Sequence, residues 1–238
     1  MRLDLALVER GLARSRTHAA ALIADGRVRV NGIVASKPST QVDGSAEVAA
    51  EVEQWVSRAA HKLIGALDGS GVTVGGAVLD AGASTGGFTQ VCLERGAALV
   101  HAVDVGHGQL APLLREDPRV RVHEGLNLRS LTLAHLDGKP VDLVVGDVSF
   151  ISLKLLLPAM LAVVRPTGEA LLLVKPQFEV GRELLGSGGV VRDAGLRTRA
   201  VDAVAESAEE LGWFERWRGV STLPGTAGNV EYFLHLTR

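Results

Sequence analysis

The stretch VLDAGASTGGFTQ, residues 78–90, decides the fold. An apolar run ends at Asp80, a helical pattern begins near Thr85, and the turn between and beyond them is rich in glycine: Gly82, Gly86 and Gly87. The next apolar run, VHAVD, ends on Asp104. We predict a strand, a glycine loop, a helix and a second strand with an acid at its tip. Such a loop brings backbone close to a nucleoside, and the acid can accept hydrogen bonds from ribose hydroxyls, so the stretch predicts a nucleotide-like cofactor.

From Ala77 onwards, apolar runs alternate with helical patterns, which is typical of an α/β fold. The expected strands are 77–82, 99–105, 120–125, 141–148, 169–176, 214–223 and 230–237. The expected helices are 57–67, 85–95, 107–115, 129–136, 152–164 and 195–211. The interior runs are almost continuously apolar, as strands of a parallel sheet covered on both faces must be. Only the turn region PGTAGN joins the last two strands, so we expect an antiparallel pair at one edge of the sheet.

The first forty residues form a different pattern. Helices are predicted over 3–10 and 16–24, with Ser15 as the cap of the second, and Asn31-Gly32 indicates a hairpin. Seven basic and three acidic residues lie in this segment, although the whole chain has a net charge of −2. A basic end on an acidic body favours an anionic partner. We therefore divide the chain into a small α+β domain with its linker, 1–56, whose expected partner is anionic, and an α/β domain, 57–238.

Composition bounds the compartment. Of the 238 residues, 47% are apolar, which is enough for a substantial core, and Cys92 is the only cysteine, so no internal disulfide can form. The longest apolar stretch, 155–164, is too short to span a bilayer and contains Pro158. The seven histidines are scattered and suggest no metal site. We expect a soluble, cytoplasmic protein that is monomeric, without metal or membrane.

The spacing of the loop bears on which cofactor binds. Its G-x-x-x-G-G pattern departs from the dinucleotide fingerprint, and a glycine turn alone is equally consistent with a tight turn that binds nothing. Asp80 just before the loop would repel a pyrophosphate but suits a cation. S-adenosylmethionine carries an ammonium and a sulfonium, and its adenosine offers hydroxyls to Asp104. We predict a seven-stranded, Rossmann-like methyltransferase sheet, mostly parallel with an antiparallel last strand. The predicted cofactor-binding residues are Asp80, Gly82, Ala83, Ser84, Thr85, Gly86, Gly87, Phe88, Asp104, Val105, Asn127 and Asp147.

Charged side chains follow two further strand ends, where ligands bind in open α/β sheets. Asp147 ends VVGD and Lys175 ends LLLVK, while Lys62 and Glu231 could reach the same crevice. A ribose 2′-hydroxyl must lose its proton to attack a methyl group, and a neutral lysine can take it. Free lysine has a pKa of about 10.4, which burial and a second ammonium lower. Lys175 is the predicted base. Taken singly, lysines and glutamates are usually solvated, so Lys62 and Glu231 stay open on this reasoning.

These residues carry a resemblance to a known family. HKL, DAGASTGGFTQ, VDV, GDVSFISL, LLLVKPQFE, GGVVRD and GNVEYF resemble the catalytic domain of the TlyA family of rRNA 2′-O-ribose methyltransferases, which is similar to FtsJ-type enzymes. RLDLALVERGLARSRTHAAALIADGRVRVNG resembles its ribosomal-protein-like RNA-binding domain. The resemblance implies a Lys-Asp-Lys-Glu tetrad at Lys62, Asp147, Lys175 and Glu231, and cytidine targets in small- and large-subunit rRNA. The chain has Ala59-Ala60 where two glycines are expected.

Three further features concern RNA. A basic patch is predicted to follow phosphates and consists of Arg14, Arg16, Arg27, Arg29 and Lys37. It is equally the composition of a solvated surface. The glycine-rich segment 178–193 is predicted to be a mobile loop over the target nucleotide, with an ordinary long connection as the alternative. Phe150 and Phe178 are candidates for stacking on a flipped base, although aromatics beside a strand end are more often core residues.

Other functions stay open on the sequence. A base methyltransferase usually has an Asn/Asp-Pro-Pro-aromatic run after the fourth strand, where this chain has Asp147-Val-Ser-Phe. Some members of the TlyA family are called hemolysins, so a membrane-active protein is a second alternative, and no amphipathic membrane helix supports it. An RNA-binding protein with a vestigial cofactor site is the third.

Overall fold

The computed structural model describes residues 1–13, 15–50 and 54–238. The chain divides into two compact units, Met1–Gln54 and Trp55–Arg238. Each unit has its own apolar core.

The first unit contains two short helices and a small sheet. Its elements are α1 (Leu3–Glu9), α2 (Arg16–Ala24), β1 (Val28–Val30), β2 (Ile33–Val34) and β3 (Val48–Ala50). Ser15 caps α2 as expected, because its Oγ accepts a hydrogen bond of 3.1 Å from the His18 amide. The predicted hairpin is also present: β1 and β2 pair antiparallel, and Asn31 and Gly32 both have positive φ, as a type I′ turn requires.

The second unit alternates strands and helices. Its helices are α3 (Ala59–Ser70), α4 (Gly87–Glu94), α5 (Pro112–Arg115), α6 (Leu157–Ala162) and α7 (Ala194–Glu209). Its strands are β4 (Ala77–Ala81), β5 (Leu99–Asp104), β6 (Val120–Glu124), β7 (Val141–Gly146), β8 (Val164–Val174), β9 (Phe214–Val220) and β10 (Tyr232–Thr237).

The seven strands that Trp55–Arg238 contributes form one sheet, in the order β6-β5-β4-β7-β8-β10-β9. β10 is inserted between β8 and β9 and runs antiparallel to both. The predicted antiparallel pairing of the last two strands is therefore confirmed. The order reverses between β4 and β7, so loops on both sides of this point leave the sheet at one edge, where ligands bind in open α/β sheets.

Successive side chains of a strand point to opposite faces, and the core follows this rule. Val78 packs with the apolar residues of α3 and α4, whereas its neighbour Leu79 packs with those of α6 and α7. Both faces of the sheet are thus covered, which explains why the interior strands are apolar throughout.

Three predicted helices are shorter than expected. The segment 129–136 forms two 3-10 turns, Leu128–Ser130 and Leu133–Leu136, and not one helix. The segment 107–115 is helical only at α5, and 152–164 divides into a 3-10 turn and α6. Pro112 and Pro158 each lie in the first turn of their helix, where a missing N–H costs least, so each proline fixes a later start than periodicity suggests.

Candidate active site

The candidate site begins where the carboxyl ends of β4 and β7 lie side by side. Ala81 pairs with Gly146, and the amide of the next residue, Asp147, donates a 3.0 Å hydrogen bond to the Ala81 carbonyl. Gly82 follows β4 with φ +85°, and a Cβ there would lie 2.8 Å from the Asp147 carbonyl oxygen. Only glycine fits this close approach, so Gly82 lets the chain bring the loop after β4 against Asp147.

Asp147 and Lys175 follow neighbouring strands and form an ion pair. The Lys175 ammonium lies 2.6 Å from Asp147 Oδ1, while its hydrogen bond goes to Ser149 Oγ, also at 2.6 Å. Both charged side chains are largely enclosed, with 11% exposure for Lys175 and 17% for Asp147. The contact holds the amine at one point of the sheet edge with an acceptor on either side.

Lys62 and Glu231 form a second, more buried pair. Lys62 Nζ donates to Glu231 Oε2 at 2.5 Å, and the two residues are only 5% and 2% exposed. The topology explains how Glu231 reaches the site. Because β10 is antiparallel and Tyr232 pairs with Val174, the residue before β10 lies beside Lys175, the residue after β8. α3 brings Lys62 from the covering layer.

One cavity of about 550 Å³ contains both pairs. We call it the charged cavity, and its charged lining residues are Arg58, Lys62, Asp147, Lys175 and Glu231. The structure thus brings together all four residues of the predicted tetrad. It also lines this cavity with Ala83, Thr85, Gly87 and Phe88 from the glycine loop and the start of α4.

A second cavity, of about 480 Å³, adjoins the first and shares Gly82, Ser84 and Asp147 with it. We call it the Asp104 cavity. Asp104 Oδ2 accepts a 2.8 Å hydrogen bond from the Ser84 amide, and Oδ1 accepts one of 2.7 Å from the Gly106 amide. These amides fix the carboxylate and leave a free lone pair on each oxygen for a hydroxyl group.

The residues that line the Asp104 cavity fit a nucleoside. Val105 and Asn127 line it, as predicted, together with the apolar side chains of Leu126, Val148 and Ile151. Its volume lies within the range of small-molecule sites, and apolar walls with one fixed carboxylate suit a flat base attached to a ribose. The residues present therefore fit the adenosine part of S-adenosylmethionine.

Two predicted cofactor residues lie behind the cavity walls. Asp80 is fully buried, and its Oδ2 accepts a 2.6 Å hydrogen bond from Thr89 of α4. Burial raises the pKa of Asp80 to about 7, the Thr89 hydrogen bond lowers it in part, and Asp147 raises it further. Gly86 lies against Leu110 and Leu114. Asp80 and Gly86 line neither of the two cavities, and their contact with a cofactor stays a prediction.

Sequence reasoning missed four polar residues of the site. Ser149 binds the ammonium of Lys175, and Arg58 donates to Thr226 Oγ1 at 3.1 Å on the rim of the charged cavity. Buried Asn229 accepts from the Val191 amide at 2.9 Å and donates to the Gly189 carbonyl at 3.0 Å. Ser149 lies two residues after Asp147, which was a usable signal. The contacts of the other three join distant segments.

The predicted aromatic pair lies at the mouth of the site. The rings of Phe150 and Phe178 are 5.5 Å apart, and both line the charged cavity. Phe150 is 92% exposed and has φ +66°, an uncommon conformation for a bulky residue. Glu179 accepts hydrogen bonds from Ser152 Oγ and the Leu153 amide, so it connects the two loops that carry the rings. Mobility of 178–193 stays a prediction.

The predicted RNA-binding residues lie in the first unit. Arg16, Arg29 and Lys37 are exposed, and Arg27 is half-buried. Arg14 lies outside the described residues. Arg16 and Arg2 both bind the buried Asp4 carboxylate, whose pKa is held low mainly by the Arg2 hydrogen bond.

Two negative findings apply only to the described residues. No group of three or more His, Cys, Asp or Glu side chains among them is arranged to hold a metal ion. No helix within the described part of the chain is long and apolar enough to cross a membrane.

Fold and site together define a Rossmann-like methyltransferase: the reversed last strand, the glycine loop after β4 and the acid at the end of β5 occur in one unit. Comparison with known families supports this class. The FtsJ-like methyltransferase family matches residues 55–238, and the S4 domain family matches residues 1–48.

Individual relatives give the family more narrowly. The chain is 54% identical over 239 residues to the 16S/23S rRNA (cytidine-2′-O)-methyltransferase TlyA of Mycobacterium tuberculosis, covering 99% of this chain and 89% of that one. It is 36% identical to Hemolysin A of Brachyspira hyodysenteriae, with 99% of both covered. A solved Streptococcus thermophilus structure named as a hemolysin has TM-score 0.77 and 37% identity over 99% of this chain and 87% of that one. The chain belongs to the TlyA family of FtsJ-like methyltransferases.

Proposed function

We propose that the protein methylates the ribose 2′-hydroxyl of a cytidine in ribosomal RNA, with S-adenosylmethionine as the methyl donor. The observation that carries the proposal is the position of Lys175. Its ammonium lies between Asp147 and Ser149 in a cavity that adjoins the Asp104 cavity. The name of the Mycobacterium tuberculosis relative supports the cytidine target and both ribosomal subunits.

The residues that would hold the cofactor divide between the two cavities. Asp104 would bind the ribose hydroxyls of the adenosine, Val105 and Asn127 would flank it, and the loop from Gly82 to Thr85 would lie along it. Asp147 lines both cavities, so it lies where they meet. S-adenosylmethionine, when bound, would supply an electrophilic methyl group that is bonded to its sulfonium sulfur, with the neutral thioether as the leaving group.

The four charged residues of the tetrad have two roles, which are removal of the proton and orientation of the hydroxyl. Lys175 takes the proton from the 2′-hydroxyl after its ammonium has released one to solvent, and Asp147 and Ser149 hold its side chain in place. The Lys62–Glu231 pair forms another wall of the same cavity and orients the hydroxyl. Both pairs are enclosed and held at the sheet edge, so these four side chains are aligned before the RNA binds. Alignment of the reacting groups supplies most of the rate of such a transfer.

The first unit supports an RNA substrate. Its S4 domain match and its exposed basic residues are consistent with phosphate binding. A target in ribosomal RNA would place the protein in the cytoplasm with the ribosomal subunits. We also propose that the protein is a monomer.

Two alternatives have distinct predictions. A membrane-active protein, which the Hemolysin A name suggests, would release the contents of liposomes. A base methyltransferase would leave the methyl group on the base after digestion to nucleosides.

The test is transfer of labelled methyl groups into ribosomal subunits that lack the mark, followed by digestion to nucleosides. We expect the label on 2′-O-methylcytidine. Label on the base of a nucleoside would favour the base methyltransferase. No transfer, with S-adenosylmethionine binding absent from calorimetry, would favour an RNA-binding protein with a vestigial site. Liposome leakage by the purified protein would support the membrane-active alternative.

A further inference from the structure

The charged cavity contains one more cation than carboxylate. Its charged lining residues are three cations and two anions. Lys62 is paired with Glu231, and Lys175 is paired with Asp147. Within the described residues, Arg58 is the cation of this cavity that has no carboxylate partner within ion-pair distance. Two ion pairs and one further guanidinium give the described lining side chains a net positive charge before any ligand binds.

One hydrogen bond holds the Arg58 guanidinium, and its other donors have no partner among the residues that the structure describes. Its Nη2 donates to Thr226 Oγ1 at 3.1 Å, which is the hydrogen bond that the structure gives the guanidinium. A guanidinium has five N–H donors in a planar fork, so donors are left for two oxygens of an anion. The fork geometry matches a phosphate better than a single carboxylate oxygen.

The segments on either side of Arg58 pack against each other. Arg58 immediately precedes α3, and Thr226 lies in the connection between β9 and β10. Thr222 in the same connection donates its hydroxyl to the His61 carbonyl at 3.0 Å. A Cβ on Gly65 would lie 2.3 Å from Thr222 Cγ2, so this connection packs closely on α3. The Arg58 guanidinium is therefore held between two packed segments, and such support is what positions a binding residue.

The chemistry of the proposed substrate brings an anion into the cavity that Arg58 lines. The 2′-oxygen of an RNA ribose is attached to the carbon next to C3′, and O3′ carries a phosphodiester. A site that takes the hydroxyl to Lys175 must also accept that phosphate a few ångströms away, and a phosphate without a cation in an enclosed cavity is costly. We infer that Arg58, oriented by Thr226, binds the phosphodiester that flanks the target ribose. This inference rests on the proposed function.

The test compares Arg58→Ala, Arg58→Lys and Thr226→Val with wild type in methyl transfer to ribosomal subunits that lack the mark. Arg95→Ala is the matched control, because Arg95 carries the same charge in the same unit and pairs with Asp68 on the surface. We expect Arg58→Ala to raise KM for the subunits by about 10-fold or more, with a smaller change in kcat. Arg58→Lys should restore part of the loss, and Thr226→Val should raise KM by less than Arg58→Ala.

Salt dependence gives a second readout. The slope of log(kcat/KM) against log[salt] should fall in magnitude by about 0.7–0.9 in Arg58→Ala, which is the value for one neutralised phosphate, and should stay at the wild-type value in Arg95→Ala. Binding of S-adenosylmethionine by calorimetry should be unchanged in all variants, which shows that the domain is folded.

The outcomes separate this inference from the proposed function. If wild type places no methyl group on ribose, the proposed function fails. If wild type methylates ribose but Arg58→Ala has the KM and salt slope of Arg95→Ala, the phosphate assignment is overturned and the proposed function stands.

Discussion

Lys62 Nζ lies 2.5 Å from Glu231 Oε2, although 169 positions separate the two residues in the sequence. The contact connects α3 to the start of β10 across the covering layer of the sheet. Both side chains are almost fully enclosed. A pair of this kind stabilises the fold only while both members are present, because either charge alone would be buried without a partner.

The first prediction concerns that pair. Glu231→Ala should lower the free energy of unfolding by about 3–5 kcal/mol, since it leaves the Lys62 ammonium buried and unpaired. Urea unfolding measures the change. Asp68→Ala is the control, because it breaks the exposed Arg95–Asp68 pair and should cost about 1 kcal/mol or less. Equal losses of stability in the two variants would contradict the account of the pair.

The second prediction concerns Asp80. Burial raises its pKa to about 7 from an ordinary value of 3.8, so the folded state holds a proton that the unfolded chain releases at lower pH. The stabilisation is complete below pH 3.8 and is lost as the pH rises through about 7.

Asp80→Asn removes this titration and keeps an acceptor for Thr89. The stability of the variant relative to wild type should therefore rise with pH by up to about 4 kcal/mol and level off above pH 7. Urea unfolding across this range measures it. A stability difference that does not vary with pH would show that Asp80 is ionised in the fold throughout.

The third prediction concerns Phe150, which is 92% exposed at the mouth of the charged cavity. If its ring stacks on the target base, Phe150→Ala should reduce kcat/KM by about 5- to 150-fold, the value of one stacked base. Stability should not fall, because little of the ring is buried. Leu113→Ala, at 60% exposed, is the control for removal of an exposed apolar side chain. If Phe150→Ala and Leu113→Ala have the same kcat/KM, Phe150 has no role in RNA binding.

The fourth prediction concerns the basic patch of the first unit. Replacing Arg16, Arg29 and Lys37 by alanine should weaken binding to rRNA fragments. The magnitude of the salt slope should fall by about 0.7–0.9 for each phosphate that the variant no longer neutralises. Arg119→Ala, from an exposed ion pair in the second unit, is the control. If the triple variant binds rRNA fragments with the wild-type salt dependence, the basic patch is a solvated surface and not an RNA contact.

Much of the candidate site could be predicted from the sequence because parallel strands end at one edge. Asp104, Asp147 and Lys175 each follow or end an apolar run, and topology alone then brings them together. Glu231 was harder to place, since its position depends on β10 being inserted beside β8, which strand pairing decides and no local pattern shows.

The remainder depends on contacts between distant segments. The phosphate-binding role inferred for Arg58 depends on its hydrogen bond to Thr226, 168 positions away. It also depends on the two carboxylates, which pair with Lys62 and Lys175 and not with Arg58. The buried position of Asp80 likewise follows from the packing of α4 over the sheet, whereas the sequence pattern predicts a contact with the cofactor. Helix lengths were overestimated where prolines set the start and where tertiary packing favoured 3-10 turns.

We propose that Lys175 removes the proton from a ribose hydroxyl and that Asp147 holds the Lys175 side chain in place for this step. The most direct measurement is the single-turnover rate of methyl transfer into ribosomal subunits lacking the mark, for wild type and Lys175→Ala, each saturated with S-adenosylmethionine. The account predicts a fall of about 10²- to 10⁴-fold in the rate, with unchanged cofactor binding by calorimetry. A rate in Lys175→Ala close to that of wild type would contradict it.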